Sequence, residues 1–217
     1  MSKYFLSEKN VIAREDALLE RIARHLMMHA SFLPNIGLYH GKMGIVLFFA
    51  HYARNTGNTL YEDFAGELLD EVYEEIHSAL PVDFESGLCG IGWGIEYLLQ
   101  NGFMEGDADE ALAELDANMM ERDLRRITDY SMRTGLEGIS CYVSKRINSP
   151  FRKHGKLPFD ETYLNEWKNV ASSISIPEEK VILDSMINTL PEGEDIGIWK
   201  LGLKNGCAGA GLKMMEK

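Results

Sequence analysis

Few residues in this chain combine a reactive type with a suggestive setting. His40 stands directly before a glycine. Histidine titrates near neutrality and so suits proton transfer, while the plainer role is a polar residue bonding backbone at a helix N-terminus. Glu96 interrupts an apolar stretch, where a carboxylate must be paired or face a wet cavity, because a lone buried charge is costly. Trp93 and Tyr97, in the same stretch, offer broad faces that could stack on a peptide or a sugar, or pack between helices. His51 reads as a hydrogen-bonded core histidine, and Cys89 and Cys207 as small thiols that fill space inside glycine-rich turns. Glu85 and Glu96 are a nominal carboxylate pair for glycoside chemistry, which needs a suitable separation. The acidic loop 105–110 lacks the spacing and closing glutamate of a calcium loop. Neither a phosphate-cradling Gly-x-x-x-x-Gly-Lys-Ser/Thr loop nor a Gly-x-Ser-x-Gly elbow occurs.

Most of these groups lie in or beside a repeated segment. His40-Gly41-Lys42-Met43-Gly44-Ile45, Ser86-Gly87-Leu88-Cys89-Gly90-Ile91, Thr134-Gly135-Leu136-Glu137-Gly138-Ile139 and Asn205-Gly206-Cys207-Ala208-Gly209-Ala210 all read polar-Gly-x-x-Gly-apolar. Their first glycines are 46, 48 and 71 residues apart, which points to one supersecondary unit used repeatedly, with an insertion before the last copy. The residues after the first two motifs are apolar on nearly every side, which predicts helices buried all round. The glycines suit places where backbone must approach backbone or leave room for a ligand.

Between the motifs the pattern is amphipathic. Leu60, Tyr61, Phe64, Leu68, Val72, Ile76 and Leu80 recur at three to four residues with acidic residues opposite, predicting an outer helix over 60–80. Segments 11–28 and 109–120 read the same way. Pro150, Gly155, Pro158 and Pro177 mark an irregular stretch with two short helices near 160–173 and 178–190. Strand signals are nearly absent. The expected fold is all-α, one domain over 1–217, in which outer half-wet helices alternate with inner dry ones. That describes an α/α toroid, or an arc of one, better than an open solenoid.

Composition excludes several functions. The 217 residues carry 34 acidic and 22 basic side chains, a formal charge of −12, which argues against a phosphate-backbone binder. The longest apolar run, Ile45 to Ala50, is far short of the ~20 residues of a membrane span, and the opening residues lack a secretory signal's apolar stretch. Three cysteines without a CxxC pair make no disulfide framework, so a cytoplasmic chain with reduced thiols is expected.

The motifs also carry a resemblance. Gly37-Leu38-Tyr39-His40-Gly41-Lys42-Met43-Gly44-Ile45, Ser86-Gly87-Leu88-Cys89-Gly90-Ile91-Gly92-Trp93-Gly94 and Asn205-Gly206-Cys207-Ala208-Gly209-Ala210-Gly211-Leu212 resemble the double-glycine turns of the lanthionine synthetase C-like family. The resemblance covers about residues 36–212. It implies an α/α toroid with the glycine turns near the mouth of a central cavity. Cyclases of that family bind zinc there, activate a peptide cysteine and add it to a dehydroamino acid; a coordinating thiol is deprotonated outright. It also implies zinc ligands just before the first glycine, a cysteine two residues ahead in one turn and a Cys-His pair in another. Here those positions hold Glu85-Ser86, Arg133-Thr134 and Lys204-Asn205. Cys89, Cys141 and Cys207 all follow the first glycine of their motif, so no metal and no cofactor is expected. His40 is similar to a family histidine credited with acid/base work. The family usually runs much longer, which leaves a smaller ring, an arc completed by a partner, or a truncated relative as alternatives.

The expectation is a lanthionine cyclase-like protein of bacterial peptide modification without the zinc-dependent thiol addition. His40 is its candidate catalytic residue, and Tyr39, Glu85, Trp93, Glu96 and Asn205 are its candidate substrate contacts. Its expected partners are a peptide substrate, a partner protein or a second copy of the chain, with no nucleic acid and no membrane. A non-catalytic helical scaffold is the alternative, and a carbohydrate-active α/α toroid a further one, since fold does not settle function.

Overall fold

The computed structural model describes residues 2–153, 155–172, 174–187, 191 and 195–216, with 2–12 as backbone alone. The helices among them are α1 (Ser2–His29), α2 (Lys42–Thr56), α3 (Thr59–Glu74), α4 (Leu88–Gln100), α5 (Ala108–Ala111) and α6 (Ala113–Met120), then α7 (Leu136–Ile147), α8 (Glu161–Ala171), α9 (Glu179–Ile187) and α10 (Cys207–Met215). Among the described residues β pairing is limited to an isolated bridge between Lys200 and Gly206. No helix among them is long and apolar enough to cross a membrane.

α2, α4, α7 and α10 each start at a Gly-x-x-Gly motif. α7 packs on α4, α4 on α2, and α10 returns to pack on α2, so the four form a continuous inner row. Outside it α3 lies on α2, α1 on α10, α6 on α4 and α8 on α7. This alternation is that of an α/α toroid, all-α as expected. The predicted dryness of the inner helices holds, since every residue from Lys42 to Ala50 and from Leu88 to Leu99 is buried. Lys42 tolerates burial because its Nζ is 2.8 Å from Glu71 and 2.7 Å from Glu75, docking α2 onto the outer layer.

One local device builds all four corners. A helix starts with N–H groups that have no partner inside the helix. Here the first helical N–H of each inner helix donates to the carbonyl seven residues earlier: Lys42 to Asn35 (2.8 Å), Leu88 to Pro81 (2.9 Å), Leu136 to Asp129 (2.9 Å) and Cys207 to Lys200 (2.7 Å). The preceding turn must therefore curl under the helix start. At the second corner, a Cβ on Gly87 or Gly90 would lie less than 3.0 Å from the carbonyl oxygen of Pro81 or Phe84, so no side chain fits at either. The other corners repeat this pair of approaches. Gly87 itself is extended, φ −114°, so close packing and not backbone conformation requires it.

Two helices depart from the sequence pattern. The outer helix predicted over 60–80 stops at Glu74, and the chain then runs on to Pro81 and Asp83, whose carbonyls accept from Leu88 and Gly90 at the start of α4. The segment read as one helix over 109–120 is broken at Leu112, where ψ is 4°, into α5 and α6. The two short helices of the insertion are α8 and α9; residues 173 and 188–190 of that prediction lie outside the described residues.

Candidate functional site

The residue two positions before the first glycine is Tyr39, Glu85, Arg133 and Lys204 in successive corners. The inner row brings these four together through their backbones. Lys204 N–H donates to Tyr39 O, Tyr39 N–H to Glu85 O and Glu85 N–H to Arg133 O, each at 2.9 Å. A sequence repeat thereby becomes a hub. The corners abut so closely that a Cβ on Gly37 would strike the backbone of Ser86, and one on Gly202 the backbone of His40. His40 is thus held in place from the fourth corner.

The hub side chains form an ionic cluster centred on Glu85. Its carboxylate accepts from Arg133 Nε at 2.9 Å and from an Arg133 terminal nitrogen, and lies 2.9 Å from His40 Nε2. Burial pushes the Glu85 pKa up, but the Arg133 hydrogen bonds and charge, helped by His40, outweigh it and hold the carboxyl below the usual range. Glu85 thus engages Nε2 of His40 and leaves Nδ1 as the other ring nitrogen, with the side chain 30% exposed. The buried Tyr39 ring has the Arg133 guanidinium 6.0 Å from its centre, and burial raises the phenol's pKa. Lys204 Nζ donates to the Ser185 carbonyl at 2.9 Å. Asn205 is exposed and takes the left-handed conformation, φ 54°, which an asparagine tolerates better than most side chains.

A cleft opens at this hub, and a second adjoins it across Pro177 and Ile182. One of about 320 Å³ is lined by Tyr39, Arg133, Lys204, Val181, Ile182 and Ser185. The other, about 230 Å³, is lined by Trp93, Cys141, Lys145, Pro177, Glu179 and Ile182. A larger hollow of about 500 Å³ lies between α2, α3 and the loop after α4, beside Arg54 and Phe103, and none of the sequence-predicted site residues lines it.

Zinc, which the double-glycine turns imply, does not fit this donor set. Its sites take cysteine, histidine and carboxylate donors in a tetrahedron. No group of three His, Cys, Asp or Glu among the described residues is arranged to hold a metal. His40 and Glu85 face each other, and Glu85 is already bound by a guanidinium. The three thiols are buried, and burial pushes Cys141 and Cys207 up to about 12 and Cys89 well above its ordinary value, so none is a ready thiolate.

The structure gathers Tyr39, His40 and Glu85 at the hub, with Asn205 at its edge. Trp93 lies beside the second cleft, 1% exposed and stacked on Tyr97, with Lys145 Nζ 5.5 Å above its ring. Glu96 requires correction. It is fully buried and lines neither of these two clefts; its Oε2 accepts from Ser149 (2.7 Å) and Gln100 (2.9 Å), and its Oε1 lies 3.6 Å from the buried guanidinium of Arg146. Of the two outcomes open to a carboxylate in an apolar helix, pairing prevailed, so Glu85 and Glu96 form no catalytic pair. His51 is the hydrogen-bonded core histidine expected, 2.8 Å from Tyr97 Oη, with its pKa lowered by burial to about 4. Sequence reasoning missed Arg133 and Lys204 as site residues, although aligning the four motifs two positions before the glycine picks out both. It also missed Lys145 and Ser185, for which no local pattern exists.

The family model described as lanthionine synthetase C-like protein matches residues 34–214. No curated protein and no solved structure matched.

Proposed function

Because the chain belongs to the lanthionine synthetase C-like family, we propose that it is a lanthionine cyclase-like protein of bacterial peptide modification whose hub takes up peptide without zinc-dependent thiol activation. The observation that carries this reading is the make-up of the four corners. Tyr39-His40, Glu85-Ser86, Arg133-Thr134 and Lys204-Asn205 stand just before the first glycines, with Glu85 bound by Arg133 and His40. A guanidinium or a protonated amine donates hydrogen bonds but ligates no metal, so this hub is suited to peptide carbonyls and carboxylates. Tyr39 and Trp93 would add apolar faces, and His40 Nδ1, the ring nitrogen that Glu85 does not engage, is the atom offered to substrate.

The scaffold reading draws on one fact: Glu85, Arg133 and His40 are already satisfied by one another. A single calorimetric experiment separates the two. The probe is a synthetic peptide carrying one dehydroalanine and one cysteine, titrated with and without chelator. The cyclase-like reading expects binding that chelator leaves unchanged and that His40→Ala weakens by about five- to tenfold, the equivalent of one lost hydrogen bond of ~1 kcal/mol. Absence of binding favours the scaffold. Thioether formation that stops with chelator refutes the proposed loss of zinc chemistry.

A further inference from the structure

The fourth repeat differs from the others by an insertion, the interval before its glycine being 71 residues against 46 and 48. Part of that insertion folds over the hub. α9 packs on α10 and buries Ile182, Leu183, Met186 and Ile187. Its polar ties reach other parts of the ring. Glu179 accepts from Lys145 of α7 and, at 3.1 Å, from Asn101 at the end of α4. Ser185 accepts through its carbonyl from Lys204 of the fourth corner at 2.9 Å, and it lines the first cleft together with Tyr39.

Pro177 and Ile182 line both clefts and so form the wall between them. Displacing that wall would join the space beside Tyr39 and Arg133 to the space beside Trp93 and Lys145. Ile182 is itself buried, but its neighbours leave apolar surface in solvent, Val181 remaining 54% exposed and Ile176 39%. Lys145 limits what may replace it. Its side chain is only 10% exposed, it donates to Gln100 Oε1 at 2.8 Å and it lies over the Trp93 ring. A cation so enclosed needs a counter-charge, which Glu179 now supplies.

We propose that α9 and the Ile176-Pro177 turn before it form a strap seated in the peptide cleft of the hub, Glu179 holding on Lys145 the place of a carboxylate on an incoming acidic peptide. This rests on the reading of the hub as a peptide site. The strap opens by local unfolding, which costs less than opening the inner row, because it buries one face of a nine-residue helix.

Hydrogen exchange of the full chain tests the strap without any substrate. The amides of 180–187 should exchange ahead of those of 91–99, and Glu179→Gln should speed the former about fivefold while leaving α2 and α4 unchanged. If 180–187 exchange only together with α4, and Glu179→Gln changes nothing, there is no strap, whether or not the hub takes peptide. The ligand class is tested in the same assay with the strap's own tetrapeptide Ile-Pro-Glu-Glu, blocked at both ends, added at millimolar concentration. It should speed exchange of 180–187 in the wild type, and Ile-Pro-Gln-Gln should not. Equal effects of the two peptides, or none, would overturn the carboxylate assignment.

Discussion

Replacing Arg146 by methionine should cost about 3–5 kcal/mol of stability, the range for removing one partner of a buried ion pair. Arg146 is 1% exposed, with Nε 2.9 Å from Asp116, Nη2 2.9 Å from Asp109 and Nη1 3.6 Å from Glu96. Those carboxylates are themselves 3%, 11% and 0% exposed, so the variant leaves Asp116 and Glu96 with no guanidinium and little water, while Asp109 keeps Arg152 at 3.5 Å. Burial pushes Asp116 up to about 6 and raises Glu96 even with the guanidinium present. A carboxyl whose folded pKa lies above its unfolded value binds its proton more tightly in the native state. Its contribution is therefore full below the unfolded value of 3.8 and is lost as pH rises through about 6. Without Arg146 the folded values rise further, so the deficit should be largest near pH 8 and shrink near pH 5. With a urea m-value of about 2–3 kcal/mol per molar for a chain of this size, the midpoint near pH 8 should fall by about 1–2 M. Adding Asp116→Asn should restore part of the loss. A midpoint shift below about 0.3 M, or one equal at both pH values, would refute the account of this cluster as a pairing of buried charge.

The hub and the corners offer further tests. Gly90→Ala forces a Cβ against the Phe84 carbonyl and should cost about 1–3 kcal/mol, while Gly66→Ala, in open space on α3, should gain about 0.5–1 kcal/mol; thermal melts of the two should move in opposite directions. Cys89, Cys141 and Cys207 should resist a thiol reagent in the folded chain and react together on unfolding, and a fast thiol in native protein would contradict their burial. Glu85→Gln should change stability by less than about 1 kcal/mol, because Arg133 is over half exposed, yet weaken peptide binding at the hub by disturbing both His40 and Arg133. Since Arg133 holds the Glu85 pKa down, the wild-type cluster should persist above the ordinary carboxylate range and disperse only as pH falls through that lowered value, which the carboxyl signal in NMR would follow.

The sequence alone determined what short-range geometry dictates. Each Gly-x-x-Gly corner rests on a carbonyl seven residues before the helix start, and each helix on a 3.6-residue period, so both show in a single stretch of chain. That sufficed for the inner and outer helices and the family resemblance, and for seeing that Tyr39, His40 and Glu85 each stand beside a glycine turn. The partner of each charge was decided elsewhere. Glu85 meets Arg133 across 48 residues, Glu96 meets Ser149 across 53 and Lys145 meets Glu179 across 34, contacts that exist only once the inner row has curved and α9 has folded back. A carboxylate in an apolar helix announces that it must be neutralised, because burial without a partner is too costly. Whether a cation or a wet cavity does so depends on which distant helix arrives beside it, and no local pattern encodes that.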